Sequence, residues 1–249
     1  MVKTADSTRW TWIALMLVLL IPMLAAATAG QTPDGAAQPQ TITLWSTIRA
    51  GGLIGYLIIL MSLVSVALIV EHFLTIRRMR FLPEDLERAL EQHLAAQRYD
   101  EAQRLADEHE SFLGRVAASG LKQVGGMFGF FDMQNAMQET GEREIARMYR
   151  KLDYLSFIAA AAPMLGLLGT VTGMIRSFNQ IAVTEGAAKP SQLAGGISEA
   201  LVTTCMGLVV AIPTMFFVSL FRNRIDEYVA EAEGVLERLM ARFRQNPTQ

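Results

Sequence analysis

Three stretches of the chain are apolar throughout and lack charged residues. They comprise residues 50–70, 154–175 and 200–221. Each approaches the roughly 20 apolar residues that a helix needs to cross the hydrocarbon core of a bilayer. Because Glu199 directly precedes the third stretch, we place it in the first turn of the third helix. The sequence therefore predicts transmembrane helices over residues 50–70, 154–175 and 199–221.

A fourth apolar stretch, near the N-terminus, is shorter and has different flanks. Its apolar core, residues 12–24, follows two basic residues and leads to an Ala-Thr-Ala triplet. A charged start, a short apolar middle and an A-x-A exit are typical of secretory signal peptides. We predict a signal peptide over residues 1–29, a mature N-terminus close to Gly30 and a periplasmic segment over residues 30–49. An uncleaved membrane anchor is the alternative.

Basic residues are distributed unevenly around the three predicted spans. Between Ser177 and Glu199 the single basic residue is Lys189, and the segment after the predicted signal peptide contributes only Arg49. Lys and Arg concentrate in the cytoplasmic flanks of membrane proteins. We therefore predict a periplasmic N-terminus, a periplasmic loop over residues 176–198 and a cytoplasmic C-terminus. The flanks predicted to be cytoplasmic carry Arg77, Arg78, Arg80, Arg143, Arg147, Arg150, Lys151, Arg222 and Arg224.

The two segments predicted to be cytoplasmic, residues 71–153 and 222–249, have the periodicity of amphipathic helices. Apolar residues recur there at steps of three and four, with charged residues between them. We predict long helical extensions that pack together in the cytoplasm. A surface helix on lipid is the weaker alternative, because acids and bases are interspersed. The apolar positions are Leu86, Leu90, Leu94, Ala95, Ala102, Leu105 and Ala106, then Ile225, Tyr228, Val229, Ala232, Val235, Leu236, Leu239 and Phe243.

The second and third predicted spans each have a face of small and polar residues opposite a face of bulky ones. The G-x-x-x-G step from Gly169 to Gly173 permits close approach of helix backbones in lipid. Two prolines are expected to break their helices locally. The residues predicted to pack the helices are Pro163, Gly166, Gly169, Gly173, Gly207 and Pro213. The polar residues on or beside the small faces are Thr170, Ser177, Glu199, Thr203, Thr204 and Thr214.

Glu199 is an acid at the edge of a predicted span. An acid near the bilayer centre costs about 2.5–3.5 kcal/mol on insertion scales, and such residues usually face a bundle interior or a wet cavity. Because Glu199 shares its face with small and hydroxylated residues, the pattern suits a narrow polar passage. Two alternatives stay open: Glu199 is an interfacial residue, or the threonine hydroxyls only bond their own backbone carbonyls.

The composition agrees with a multi-span membrane protein. Of the 249 residues, 51% are hydrophobic and 18% are charged, and the mean hydropathy is +0.28. The net charge of −2 argues against nucleic-acid binding. Cys205 is the single cysteine, which excludes an intrachain disulfide. His72, His93 and His109 form no H-E-x-x-H pair, and P-loop and G-x-S-x-G motifs do not occur, so neither an enzyme nor a metal or cofactor site is predicted.

Two motifs in the second and third predicted spans resemble a known family. They are APMLGLLGTVTGMIRSF at residues 162–178 and GISEALVTTCMGLVVAIP at residues 196–213. The patterns APxxGLxGTVxGMxxxF and GIxEALxTTxxGLxxAIP, at this separation, are similar to those of ExbB and TolQ proteins, in the proton-channel family that also includes MotA. The resemblance covers about residues 45–235. Thr203 and Cys205 stand where that family more usually has small apolar residues, and the N-terminal extension departs from its shorter members.

The resemblance implies an all-α membrane protein whose copies form a homo-oligomeric, pentameric ring in the inner membrane. In that family the ring surrounds the membrane helices of an ExbD-like partner, a single-span protein whose membrane Asp carries protons. The family's proton pathway falls here on Thr170, Thr204 and Glu199. From the small faces we add Thr203, Ser177 and Thr214 as secondary candidates for the pore face.

The implied function is that of a proton-channel and motor subunit of the ExbB–ExbD–TonB type. Such a complex uses the proton motive force to power transport across the outer membrane, with a TonB-like protein as a further partner. A TolQ-like motor for envelope maintenance is the close alternative. A structural membrane oligomer without ion flow is the third candidate function. A TonB-like protein in a neighbouring reading frame would favour the ExbB–ExbD–TonB type of function.

Overall fold

The computed structural model describes residues 52–124, 129–184 and 190–245, and the regular elements within them are α-helices. The predicted signal peptide over residues 1–29 and the predicted periplasmic segment over residues 30–49 lie outside the described residues. The helices are α1 (Gly52–Thr75), α2 (Arg78–Phe81), α3 (Glu84–Ala95), α4 (Tyr99–Glu108), α5 (Phe112–Leu121), α6 (Gly129–Val183) and α7 (Pro190–Gln245).

Within the described residues, three helices are long and apolar enough to cross a membrane: Gly52–Thr75, Gly129–Val183 and Leu193–Ala241. This confirms the predicted fold class, an all-α membrane protein with long helical extensions. The second and third predicted spans are inner parts of much longer helices, since α6 has 55 residues and α7 has 56. The apolar runs in the sequence therefore mark the part of each helix suited to lipid, and they do not mark its ends.

Both long helices continue through positions where the sequence pattern predicts an interruption. Pro163 lies inside α6 and Pro213 lies inside α7, although proline lacks the N–H that would donate to residue i−4. Most of the loop predicted over residues 176–198 is also helical, because α6 runs on to Val183 and α7 begins at Pro190. In lipid, backbone N–H and C=O groups must find hydrogen-bond partners inside the protein. A helix that continues through a proline keeps all of these bonds except the one that the proline removes.

The chain divides into two compact units. Of the described residues, the first contains those up to residue 61 and those between 161 and 211, and the second contains those between 62 and 160 and those from residue 212 onward. By these bounds α1, α6 and α7 each contribute residues to both units. The residues of the candidate site lie in the first unit, apart from Thr214.

In the second unit, α3, α4 and α5 form an apolar core with the start of α6 and the end of α7. A small apolar pocket among these helices is lined by leucines and methionines, including Leu90, Met137 and Leu239. Most positions of the predicted apolar stripes are buried, and Ala95, the last residue of α3, is an exposed exception because the chain turns there. The buried members are Leu86, Leu90, Leu94, Ala102, Ala106, Ile225, Val229, Ala232, Val235, Leu236 and Leu239.

Ion pairs fasten the end of α7 to the short helices of the second unit. The Arg78 guanidinium donates to Glu231 at 2.6 Å and to Glu84 at 2.9 Å. These hydrogen bonds, with Glu231 contributing most, raise the pKa of Arg78 further above its ordinary value. Arg238 donates to Glu87 at 2.9 Å. Because these side chains are partly exposed, each pair contributes little energy by itself.

A buried hydroxyl pair and a group of rings join α1 to α7 in the second unit. The Ser65 and Thr214 hydroxyl oxygens lie 2.8 Å apart, and both side chains are buried. The Phe73 and Phe221 rings meet edge-on, with their centroids 5.0 Å apart. The hydroxyl pair satisfies two polar groups that would otherwise face hydrocarbon.

Candidate functional site

The small faces of α6 and α7 pack against each other within the first unit. A Cβ built at Gly166 would lie 3.0 Å from the Thr203 carbonyl oxygen and 3.0 Å from the Thr204 Cα. A Cβ at Gly207 would lie 2.6 Å from the Ala162 carbonyl oxygen. Backbone atoms cannot move aside as a flexible side chain can, so these positions require glycine. Gly166 and Gly207, two of the glycines that the sequence assigns to helix packing, therefore lie where the two backbones are in close contact.

The opposite, bulky faces of the two helices point outward. Large apolar side chains are exposed along both of them, which suits contact with lipid or with another membrane helix. Of the six polar residues on or beside the small faces, Ser177, Thr203 and Thr214 are buried, and the other three are partly exposed. The exposed bulky residues are Leu167, Leu168, Val171, Ile175 and Phe178 of α6, and Leu201, Ile212 and Phe216 of α7.

The three secondary candidates for the pore face are buried and hydrogen-bonded. Thr203 donates to the Ala200 carbonyl at 2.8 Å, and Ser177 donates to the Leu193 carbonyl at 3.4 Å. In the second unit, Thr214 pairs with the Ser65 hydroxyl. This arrangement favours a packing role for these three side chains.

Thr204 is half-buried and bonds across the two helices. Its hydroxyl lies 3.2 Å from the Gly166 carbonyl oxygen and 3.4 Å from the Ala200 carbonyl oxygen. In an α-helix the carbonyl of residue 166 also accepts the backbone N–H of residue 170. The Thr204 hydroxyl and the Thr170 amide therefore converge on one carbonyl oxygen.

Thr170 is half-buried as well, and its hydroxyl donates to the Leu167 carbonyl of its own helix at 2.7 Å. A back-bonded hydroxyl still has lone pairs that accept a further hydrogen bond. The neighbouring Thr172 is exposed and lies 3.1 Å from the Leu168 and Gly169 carbonyls. The two threonines thus have the same local bonding but different degrees of exposure.

Glu199 forms an ion pair with a residue that the sequence patterns do not single out. The Arg176 guanidinium donates to Glu199 Oε2 at 2.5 Å. The Glu199 side chain is 18% exposed, whereas that of Arg176 is 68% exposed. A basic residue at the predicted periplasmic end of a span opposes the usual charge distribution. That exception is the signal by which the sequence marks Arg176.

The first residue of α1 lies against the same carboxylate. Gly52 has φ +55, and a Cβ there would lie 2.6 Å from Glu199 Oε1. Both the backbone conformation and the space therefore favour glycine. In the described part of the chain, His, Cys, Asp and Glu do not form groups of three that could hold a metal ion.

Comparison with known proteins identifies the family. The model of the MotA/TolQ/ExbB proton channel family matches residues 108–234, which is about half of the chain. The chain belongs to the MotA/TolQ/ExbB proton channel family. As a member of this family with three apolar helices, it is a multi-pass inner-membrane protein. The matched residues include Arg176 and the predicted pathway residues Thr170, Glu199 and Thr204.

Several similar proteins carry ExbB names. A putative biopolymer transport protein ExbB homolog of Methanothermobacter thermautotrophicus is 30% identical over 192 residues, 77% of this chain and 67% of the relative. The biopolymer transport protein ExbB of Salmonella typhimurium is 35% identical over 119 residues, 45% of this chain and 48% of the relative. The putative ExbB-like protein 1 of Synechocystis is 46% identical over 101 residues, 38% of this chain. Matched stretches span only 40% of that protein and 55% of the Synechocystis ExbB-like protein 3.

Proposed function

We propose that this protein is the proton-channel and motor subunit of an inner-membrane complex of the ExbB type. The observation that carries the proposal is the interhelical hydrogen bond from the Thr204 hydroxyl to the Gly166 carbonyl, about one helical turn from the half-buried Thr170 and inside the segment that matches the family. Together with Thr170, this hydroxyl supports a polar route beside a contact between two helices that is otherwise apolar or tightly packed. No catalytic role is proposed.

Protons crossing here need groups that replace the hydrogen bonds of water. A threonine hydroxyl both donates and accepts, so a hydroxyl that donates to a carbonyl keeps lone pairs for a passing proton carrier. Moving one charge through the membrane potential releases about 2.3 kcal/mol per 100 mV. Glu199, at the outer end of the predicted third span, raises the local proton occupancy or holds the polar geometry of this route.

In this proposal, proton flow through the complex moves two partner proteins. We propose that copies of this chain form a ring around an ExbD-like single-span protein, whose membrane Asp alternates between neutral and charged beside the hydroxyls. The change in charge attracts or repels that Asp and shifts its helix. A TonB-like protein then couples the motion of that helix to transport across the outer membrane. The ExbB names of the relatives favour this assignment over a TolQ-like motor for envelope maintenance and over an oligomer without ion flow.

The test is proton flux into vesicles that contain the purified complex of this chain with its partner. Thr170→Val keeps the shape of the side chain but removes the hydroxyl, and it is expected to abolish flux with the complex intact. Thr172→Val is the matched control, because Thr172 lies on the same helix with the same kind of backbone bond, and it is expected to retain flux. Glu199→Gln is expected to impair flux more variably. Wild-type flux in Thr170→Val would remove Thr170 from the pathway.

A further inference from the structure

We propose that the seam between α1 and α7, at the end of α1, binds the phosphate group of an anionic phospholipid. Arg77, which follows α1, and Arg224 of α7 hold the phosphate, and exposed apolar side chains beside them contact the acyl chains. Both arginines belong to the second unit, whereas the pathway residues Thr170, Glu199 and Thr204 belong to the first. The proposed lipid site is therefore independent of the proposed proton flow.

Phe73, near the end of α1, brings the two arginines to one place. Arg77 Nε donates to the Phe73 carbonyl oxygen at 3.4 Å, and Arg224 Cζ lies 5.9 Å from the centroid of the Phe73 ring. The ring is in turn fixed against Phe217 and Phe221 of α7, with centroid distances of 5.7 and 5.0 Å. One guanidinium group therefore lies at the backbone of Phe73, and the other lies over its ring.

Within the described residues, neither of these guanidinium groups is paired with a carboxylate. Two acids of the same helices contact α6 instead, because Glu71 lies 4.0 Å from Lys151 and Asp226 accepts a hydrogen bond from Tyr149. A guanidinium group has five N–H donors, and Arg77 uses one of them within the chain. Phosphate accepts charge-assisted, often bidentate hydrogen bonds from arginine, so it matches the donors that are left over.

The position of the seam matches the level of lipid headgroups. α1 has 24 residues and is about 36 Å long, whereas the hydrocarbon core of a bilayer is about 30 Å thick. Its last turn therefore reaches the membrane surface, on the side predicted to be cytoplasmic. Val70 and Leu74 are exposed, and they precede Arg77 on the same side of the helix at steps of four and three residues. A lipid whose phosphate lies at Arg77 has its acyl chain along these two side chains.

A specific site differs from the general attraction of anionic lipid to cytoplasmic basic residues. Under general attraction, Arg150 would contribute as much as Arg77 or Arg224, because it is exposed on α6 about one turn before the predicted second span. Under the proposal, Arg77 and Arg224 each strengthen binding about fivefold and Arg150 does not. The lipid is anionic because a positively charged headgroup would bring a third cation to the two arginines, and like charges repel.

The test titrates the purified full-length chain, in an uncharged detergent, with phosphatidylglycerol, and native mass spectrometry measures the bound lipid. The wild type is expected to bind phosphatidylglycerol more tightly than phosphatidylcholine, which has the same phosphate and acyl chains but a positively charged headgroup. Inorganic phosphate at the same concentration is expected not to displace the lipid, because it lacks acyl chains. Arg77→Gln and Arg224→Gln are each expected to weaken binding about fivefold, and the double variant about 25-fold. Arg150→Gln, the matched control, is expected to bind like the wild type.

Three results would overturn the proposal: equal affinity for the two lipids, displacement of the lipid by inorganic phosphate, or equal weakening in Arg150→Gln and the double variant. Circular dichroism shows whether each variant is folded. If the double variant does not fold, the comparison of each single variant with Arg150→Gln decides the same question.

Discussion

The Gly166 carbonyl oxygen of α6 accepts a hydrogen bond from the Thr204 hydroxyl of α7 at 3.2 Å. This contact exists because residue 166 has no side chain, which lets the backbone of α7 come close enough for a short threonine to reach a carbonyl of the neighbouring helix. The packing of two helices and the placing of a candidate pathway hydroxyl are therefore one structural feature.

Gly166→Ala is expected to destabilise the protein by about 1–3 kcal/mol, as overpacking does. Its Cβ would lie 3.0 Å from backbone atoms of both Thr203 and Thr204, and neither can give way by rotating a side chain. Thermal unfolding in detergent, followed by circular dichroism, measures the effect. Gly195→Ala is the matched control on α7, because among the described residues no atom beyond its own helical turn lies within 4 Å of the new Cβ. Equal unfolding temperatures for the two variants would contradict the close approach.

Thr204→Val is expected to stop proton flux, whereas Thr204→Ser is expected to preserve it, because serine keeps the hydroxyl near the Gly166 carbonyl. The loss of one interhelical hydrogen bond costs only about 0.6 kcal/mol on average in a membrane protein. Both variants should therefore assemble. Flux in vesicles and the unfolding temperature are measured together. If Thr204→Val assembles and conducts normally, Thr204 is a packing residue only.

The buried Ser65 and Thr214 hydroxyls are expected to be energetically coupled. A double-mutant cycle with Ser65→Ala and Thr214→Val should give an interaction of about 0.6 kcal/mol, with about 1.7 kcal/mol as the upper range for such pairs. Unfolding free energies of the four proteins measure it. Flux is expected to persist, since both groups are enclosed by the chain. Additive single effects would show that the two hydroxyls do not interact.

The predicted topology is testable because the chain has one cysteine. In a Cys205→Ala background, Asn179→Cys is expected to react with an impermeant thiol reagent added outside intact spheroplasts. Glu108→Cys is expected to react only after the membrane is opened. Both positions are exposed in the structure, so the labelling pattern depends on the side of the membrane. The opposite pattern would reverse the orientation predicted from the basic residues.

The purified chain is expected to be a homo-oligomer. The resemblance to ExbB and TolQ proteins implies a pentameric ring. In a single chain large apolar side chains of α6 and α7, such as Leu167 and Leu201, are exposed, and contacts between copies in a ring would bury part of these faces. Native mass spectrometry in mild detergent, with the partner co-expressed, measures the stoichiometry. Finding only monomer would argue against both the ring and a pathway formed within it.

The sequence by itself determines much of this protein, because the relevant signals are local. A run of apolar residues without charges has a favourable place in a bilayer whatever lies around it, so the three membrane helices follow directly from composition along the chain. The periodic positions of α7, such as Ile225 and Val229, likewise identify its buried stripe. The motifs around Thr170 and Glu199 indicate the family for the same reason.

Only the tertiary structure decides how those helices use their polar residues. The small faces predicted to line a passage are mostly buried against each other, which separates enclosed hydroxyls such as Thr203 from the half-buried Thr170 and Thr204. Periodicity gives the direction of a side chain from its own helix, but not which helix lies opposite. The pairing of Arg176 with Glu199 joins residues separated by 23 positions, and no local pattern specifies a contact that depends on where a second helix packs.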